Sequence, residues 1–320
     1  MNYRCAIVIR AFNEERHLER LLEGISQQTV KDVQIILVDS GSTDRTVAIA
    51  EKYDVKVVHI SPQDFTFGRS LNMGLEAAES ELIVIASAHV YPVYPDWLEE
   101  MIKPFDDPRV ALVYGKQRGV EGSHFSEQQI FNHWYGEKSE PSQAHPFCNN
   151  ANAAVRKALW EQHPYDESLP GLEDLAWAKW ALENHFRICY ISHAEIKHIH
   201  QESWRGIKQR YFREGMAFKK IYPQERFTFG ELVRAFFKNV SSDFSAAINE
   251  HILSKEWRNI IRFRWQQFYG TYLGYRRSGP LTWQLKRSFY YPNQNGHLAD
   301  EKRRRLVEPI KYRNNSDKIE

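Results

Sequence analysis

Over roughly the first 115 positions, short apolar runs alternate with stretches whose apolar residues fall three and four apart. The runs at 4–9, 33–38, 55–60, 82–85 and 110–114 read as buried strands. Leu18, Leu21, Leu22 and Ile25 lie at helical spacing after the first, with Asn13 as the expected N-cap and Glu14 and Glu15 suiting the positive helix end. After the second run, Asp39-Ser40-Gly41-Ser42-Thr43-Asp44 permits a tight turn, and Thr43 or Asp44 caps a helix through Ala48 and Ala50. A further helix leads from Gly68 to about Ala78. Regular alternation of this kind predicts an α/β domain with a parallel sheet and helices on both faces.

From 119 to 146 the chain is polar and aromatic without a clear period, so it forms either a loop or a helix over the site. The stretch 148–155 returns toward the core. Glu173-Asp174 opens a helix containing Leu175, Ala178, Trp180 and Ala181, 187–191 is a strand, and 196–200 alternates so that His198 and His200 share one side. Beyond Trp204 the chain becomes helical and basic, and two more amphipathic segments follow at 229–248 and 257–275. The expected division is a catalytic-type domain over 1–220, a helical extension over 221–302 and a loose tail over 303–320.

Composition sets limits on this picture. Hydrophobic residues make up 42% and charged residues 26%, ordinary for a globular protein, and 43 basic against 41 acidic residues leave a net charge of +2 that implies no nucleic-acid partner. Cys5, Cys148 and Cys189 are few and far apart, arguing for a reducing compartment rather than a disulfide framework. Charge follows too early in MNYRCAIVIR for a signal-peptide core, and no run approaches the ~18 apolar residues of a spanning helix. The expectation is a cytoplasmic protein, with the inner membrane face as a contact that an amphipathic surface allows.

The strand at 82–85 breaks at Ser87-Ala88-His89. Ligands of open parallel sheets collect beyond the carboxyl ends of strands, and alternation about Ala88 turns Ser87 and His89 to one side. These two side chains either meet a ligand or satisfy turn backbone groups.

The succession Arg10-Ala11-Phe12-Asn13-Glu14-Glu15, Asp39-Ser40-Gly41-Ser42-Thr43-Asp44, Gly68-Arg69-Ser70-Leu71-Asn72, a strand-end motif and Glu173-Asp174 resembles family 2 glycosyltransferases of the GT-A fold, of the bacterial surface-polysaccharide type. The resemblance covers about residues 4–220. It implies a nucleotide-diphospho-sugar donor. Asp39 would accept from a base N–H, with Ala11, Phe12 and Glu14 bordering the base. Arg69 near a helix start suits diphosphate oxygens, with Asn72 one turn on, although a solvated arginine and a structural asparagine read equally well. Asp44 reads better as a cap than as a ligand.

One departure stands out. Such families usually carry Asp-x-Asp where this chain has Ser87-Ala88-His89. Hard cations prefer charged oxygen ligands, so Mg2+ is poorly served, whereas His89 with His198 or His200 suits Mn2+ better. The readings left open are a divalent metal held with fewer acids, leaving-group charge met by histidine and arginine without metal, and lost activity.

In the resemblance, Asp174 is the base that removes the acceptor hydroxyl's proton in an inverting transfer, and Glu173 positions the acceptor or Asp174 itself. N-terminal capping is the structural alternative. Asn149, Asn150 and Asn152 are placed to meet sugar hydroxyls, and Trp134 and Tyr135 to offer aromatic faces to an acceptor. Arg205 and Arg210 suit diphosphate or an acidic acceptor, or a solvated face. The basic and aromatic carboxyl-terminal third fits anionic lipid, a homodimer or plain helix packing. The expected activity is sugar transfer to a hydroxyl of a surface polysaccharide or lipid-linked glycan, and Phe65-Thr66-Phe67-Gly68, similar to rhamnosyltransferase-like members, favours deoxysugar donors. A sugar nucleotidyltransferase is disfavoured by the lack of glycine in Arg10-Ala11-Phe12-Asn13, and a non-catalytic nucleotide or glycan binder is the alternative from another class.

Overall fold

Eight strands form a single mixed sheet in the computed structural model, which describes residues 3–120, 122–199, 202–277 and 307–312. Strands β1 (Cys5–Ala11), β2 (Val33–Asp39), β3 (Val55–His59) and β4 (Leu82–Ser87) run parallel in the order β3-β2-β1-β4. Their near-continuous apolar runs are explained by cover on both faces. Ala6 and Val8 of β1 pack with Leu71 and Leu75 of α3 (Phe67–Glu76) on one side. Cys5, Ile7 and Ile9 pack on the other with Leu18, Leu21 and Leu22 of α1 (Leu18–Ser26), and with Trp97.

The far half of the sheet is less regular. Strand β5 (Val90–Pro92) and β6 (Val110–Gly119) are joined in sequence by β7 (Asn152–Arg156) and β8 (Arg187–His198). β7 inserts antiparallel between β4 and β6, and β5 pairs antiparallel with β8 at the edge, so the sheet is mostly parallel, as the GT-A resemblance implies. The segments 187–191 and 196–200, expected as separate strands, belong to one strand as far as His198. Opposite β6 its register jumps from Gly115↔Ile191 to Gln117↔Ile196, a bulge that absorbs the intervening polar residues.

Helix α1 begins at Leu18, four residues later than the expected start. Asn13 does not cap it: its φ is 55° and its Oδ1 accepts the Thr43 N–H at 2.8 Å. The N-cap position of α2 (Thr46–Ala50) is Arg45, so the expected cap at Thr43 or Asp44 is corrected: Asp44, one residue earlier, accepts the N–H of Thr46 at 2.9 Å in a turn that leads into the helix. The ambiguous 119–146 stretch contains α5 (Phe125–Trp134). After α4 (Trp97–Ile102), α6 (Lys157–Gln162) and α7 (Glu173–Glu183), three long helices follow: α8 (Trp204–Ile221), α9 (Phe229–Asn249) and α10 (Leu253–Arg276).

Glycines bring α10 onto α8 backbone to backbone. A Cβ at Gly270 would stand 2.6 Å from the Lys208 carbonyl oxygen, and one at Gly215 2.7 Å from that of Thr271. A buried pair in which the Arg264 guanidinium donates to both Asp243 oxygens, at 2.7 and 2.8 Å, fastens α9 to α10. Part of the tail expected to be loose is packed. The Ile310 N–H donates to the Val93 carbonyl at 3.0 Å, and Tyr312 meets the Tyr91 ring edge-on. The rest of 303–320, and 278–302 of the extension, lie outside the described residues.

Candidate active site

A cavity of about 390 Å³ opens beyond the carboxyl ends of β1 and β4, between them and the amino-terminal ends of α7 and α8. Two strand-end loops form its first wall, and they are laced together. The Asn13 N–H donates to Ser42 Oγ at 2.9 Å, that of Glu14 to Thr46 Oγ1 at 2.7 Å, and that of Glu15 to Asp44 Oδ2 at 3.1 Å. This lacing explains why the two motifs occur as they do: the polar side chains of one loop satisfy the backbone donors of the other. Ala11, Phe12 and Glu14 line the cavity, with Ser40 from the second loop. Asp39 is buried just behind, accepting the N–H groups of Gly41 and Ser42 at 3.2 Å each.

At the end of β4, Ser87 and His89 face the cavity while Ala88 is fully buried in the core. His89 Nδ1 lies 2.8 Å from Glu14 Oε1. Burial alone would lower the His89 pKa, but the Glu14 charge and hydrogen bond outweigh it and hold the imidazole above its ordinary value. His198 comes from β8 to the same place, its ring 5.1 Å from that of His89 at 21°, with Nδ1 2.8 Å from Gln117 Oε1. His200 lies outside the described residues. Among those described, no three histidine, cysteine or acidic side chains are grouped to hold a metal ion. With serine and histidine in place of carboxylates at the strand end, the side chains among the described residues do not fit a hard-cation site.

The opposite wall is the start of α7. Leu172 precedes it with φ 56°, a left-handed conformation that costs a non-glycine residue roughly 1 kcal/mol and turns the next two residues into the cavity. Glu173 Oε1 pairs with Arg10 at 3.2 Å. The Asp174 carboxylate accepts the N–H of Asn150 at 3.1 Å and that of Leu175 at 2.8 Å. Burial and the neighbouring Glu173 charge nevertheless push its pKa up to about 7. Asp174 is thus poised to take and release a proton near neutrality. Asn149 and Asn150 line the same wall, and Asn150 Oδ1 and Glu14 Oε2 are buried acceptors with no donor among the described residues. A sugar hydroxyl or water would supply one.

Helix α8 closes the remaining side. Arg210 is held by Glu127 at 2.5 Å and Glu202 at 2.8 Å, so its charge is already matched. Arg10 and Arg213 both lie over the Phe67 ring, 5.0 and 4.6 Å from its centroid. Arg10, Gln117, Phe67 and Arg213 carry no candidate role in the sequence reading. Phe67 is signalled only by the Phe65-Thr66-Phe67-Gly68 similarity, and Gln117 by nothing local.

The remaining candidates stand elsewhere. Arg69 is exposed and does not line the cavity. The Asn72 amide is fully engaged in packing: its Oδ1 accepts from Trp160 Nε1 at 2.9 Å and the Tyr165 N–H at 3.0 Å, and its Nδ2 donates to the Tyr165 carbonyl at 3.0 Å. Gly68 belongs to the same contact, since a Cβ there would meet the Asp166 carbonyl oxygen at 2.8 Å. The diphosphate reading of Asn72 is therefore corrected to a bracket between α3 and the 165–167 loop. Trp134 is half-exposed beside Phe147, outside the cavity, and Tyr135 is core. Asn152 is buried, accepting from Trp97 Nε1 at 2.9 Å and donating to the Ala194 carbonyl at 2.9 Å, so it faces no sugar. Arg205 does not line the cavity.

Residues 6–162 match the profile of glycosyl transferase family 2. The chain is 25% identical over 249 residues to the O-antigen chain rhamnosyltransferase RfbN of Salmonella typhimurium, covering 74% of this chain and 79% of that protein. It is 28% identical over 228 residues to the O-antigen chain rhamnosyltransferase WbaN of Salmonella anatum, covering 68% and 72%. Among solved structures, S. aureus TarS 1-349 with UDP superposes with a TM-score of 0.55 at 17% identity, over 83% of this chain and 90% of that one. The mannosyltransferase PcManGT of Pyrobaculum calidifontis, solved with GDP-Man and Mn2+, gives 0.57 at 17% identity, over 84% and 86%. These likenesses show a GT-A-like fold. The chain belongs to glycosyl transferase family 2, and it is a glycosyltransferase.

Proposed function

We propose that the chain is an inverting glycosyltransferase that moves a hexosyl or deoxyhexosyl group from a nucleotide sugar to a hydroxyl of a surface polysaccharide or lipid-linked glycan, working in the cytoplasm at the inner membrane face. The observation that carries this reading is Asp174, a buried cavity carboxylate held by two backbone N–H groups and pushed up to about 7. Ionised, it removes the proton of the acceptor hydroxyl as that oxygen attacks the anomeric carbon. The bond from that carbon to the diphosphate breaks on the opposite face, its electron pair leaves with the diphosphate, and the configuration inverts. The proton is left on Asp174, whose raised pKa makes it a stronger base than an ordinary aspartate and, at about 7, still allows the proton to pass to solvent near neutrality.

Glu173, tied to Arg10, holds the charge beside Asp174 and positions the acceptor. Ala11, Phe12 and Asp39 take the nucleoside, and Asn149 and Asn150 the sugar hydroxyls. His89, kept toward its charged form by Glu14, faces the leaving diphosphate, with His198 behind it. The relatives named as rhamnosyltransferases support a deoxysugar donor.

The test is turnover across UDP-, GDP-, dTDP- and CMP-sugars, dTDP-rhamnose included, each with EDTA and with added Mn2+. One donor is expected to turn over and give a product of inverted anomeric configuration. Survival in EDTA assigns the diphosphate charge to His89 and its neighbours, whereas strict Mn2+ dependence assigns a metal to that end of the cavity. A product of retained configuration contradicts the mechanism. Nucleotide binding with no turnover on any donor favours a non-catalytic binder.

A further inference from the structure

Seven large apolar side chains stand out into solvent among the described residues, and six of them are on α9 and α10: Phe229, Phe237, Ile248, Trp257, Ile261 and Trp265. Concentration on one helical hairpin, rather than scatter, is what marks an interaction surface. Trp257, Ile261 and Trp265 fall four residues apart, so they form one stripe along α10, about 12 Å long. The stripe continues onto α9 through ring contacts: Trp265 meets Phe236 edge-on at 5.9 Å, and Phe236 meets Phe237 at 5.3 Å. Phe237 is 63% exposed and Trp265 42%, so these rings spend much of their area on water.

Charge identifies the partner. Arg258 and Arg262 sit one position beyond Trp257 and Ile261, and Lys255, Arg234 and Lys238 are exposed on the same two helices. Of the acids on these helices, Asp243 is buried in its pair with Arg264, Glu231 is turned back into the capping box of Thr228 and Glu256 accepts from the Asn259 amide, so the exposed basic residues outnumber the exposed acid, Glu250 at the end of α9. A two-fold contact with a second copy would bring this basic border against itself. No helix among the described residues is long and apolar enough to cross a membrane, which fits a surface that lies on a bilayer rather than one that spans it.

We propose that the α9–α10 hairpin is a membrane-docking surface, with Phe237, Trp257, Ile261 and Trp265 entering the interface of an anionic phospholipid bilayer while Lys238 and Arg258 meet headgroup phosphates. The proposal stands on this surface alone and does not depend on the reaction proposed above. It has a consequence for that reaction. Because α10 rests on α8 by glycine contacts and α8 lines the cavity, docking holds the cavity roughly 20 Å, two helix diameters, from the bilayer. That is within reach of an acceptor anchored in lipid.

The test is co-sedimentation of the full chain with vesicles of phosphatidylethanolamine and phosphatidylglycerol against vesicles of phosphatidylcholine, with sedimentation equilibrium without lipid. Binding to the anionic vesicles is expected, weakening as salt rises. Trp257→Ser with Trp265→Ser, and separately Lys238→Gln with Arg258→Gln, should each weaken it by about tenfold or more, while circular dichroism and nucleotide binding stay unchanged. Brominated lipid should quench wild-type tryptophan emission more than that of the double tryptophan variant. Failure of the folded chain to bind anionic vesicles overturns the proposal, as does binding that neither variant changes. A lipid-free dimer that the tryptophan substitutions dissociate would assign the surface to a second copy instead.

Discussion

His89 Nδ1 lies 2.8 Å from Glu14 Oε1, which joins the carboxyl end of β4 to the loop after β1 across the cavity floor. In the function proposed above, the pair sets the charge that meets the leaving diphosphate. Glu14→Gln removes the carboxylate but keeps the shape. His89 in this variant is expected to titrate at lower pH than in the wild type, where it titrates above the ordinary histidine value. NMR titration of the imidazole resonances checks this, and an unchanged His89 titration would show that Glu14 does not govern it.

Asp174 has a consequence for stability with a definite sign. Its ordinary value is 3.8 and the folded value about 7, so the folded chain binds the extra proton between these values and this group's contribution falls as pH rises through that window. Asp174→Asn removes the penalty. Relative to wild type, the variant should gain stability from pH 5 to pH 8, approaching at most about 4 kcal/mol in favour of the variant above pH 7. Urea denaturation at the two pH values measures it, and a difference that stays flat with pH would mean that Asp174 is not buried as described.

Asn72 separates packing from donor binding. Asn72→Ala leaves the buried Trp160 indole N–H without its acceptor and breaks the bracket to Tyr165, an expected loss of roughly 2–3 kcal/mol. Nucleotide affinity per folded molecule should stay at the wild-type level. Calorimetric titration with the nucleotide at a temperature where the variant is folded tests it, and a large loss of affinity would return Asn72 to the donor site.

How much of this was legible in the sequence depends on the range of the contacts involved. The strand-end loops at 10–15 and 39–44 and the Glu173-Asp174 turn announce themselves locally, and the structure brings Ala11, Phe12, Glu14, Ser87, His89, Asn149, Asn150, Glu173, Asp174 and His198 to one cavity. The antiparallel entry of β7 was not legible. Asn152 to Arg156 pairs with strands about 40 and 70 positions earlier, and its apolar run suits either direction. Arg69 and Asn72 read as diphosphate-binding because a guanidinium near a helix start suits such oxygens, whereas Arg69 stands exposed outside the cavity and Asn72, with Gly68, meets the backbone of 165–167. The Arg10–Phe67–Arg213 stack joins three distant segments, and no local spacing encodes it.

The most direct test of the central claim is transfer by Asp174→Asn against wild type, with the donor found in the panel and nucleotide binding measured alongside. The account predicts that nucleotide binding persists, that transfer falls by about 100-fold or more, and that the wild-type rate rises with pH through an apparent value near 7. Transfer by Asp174→Asn at the wild-type rate would contradict it.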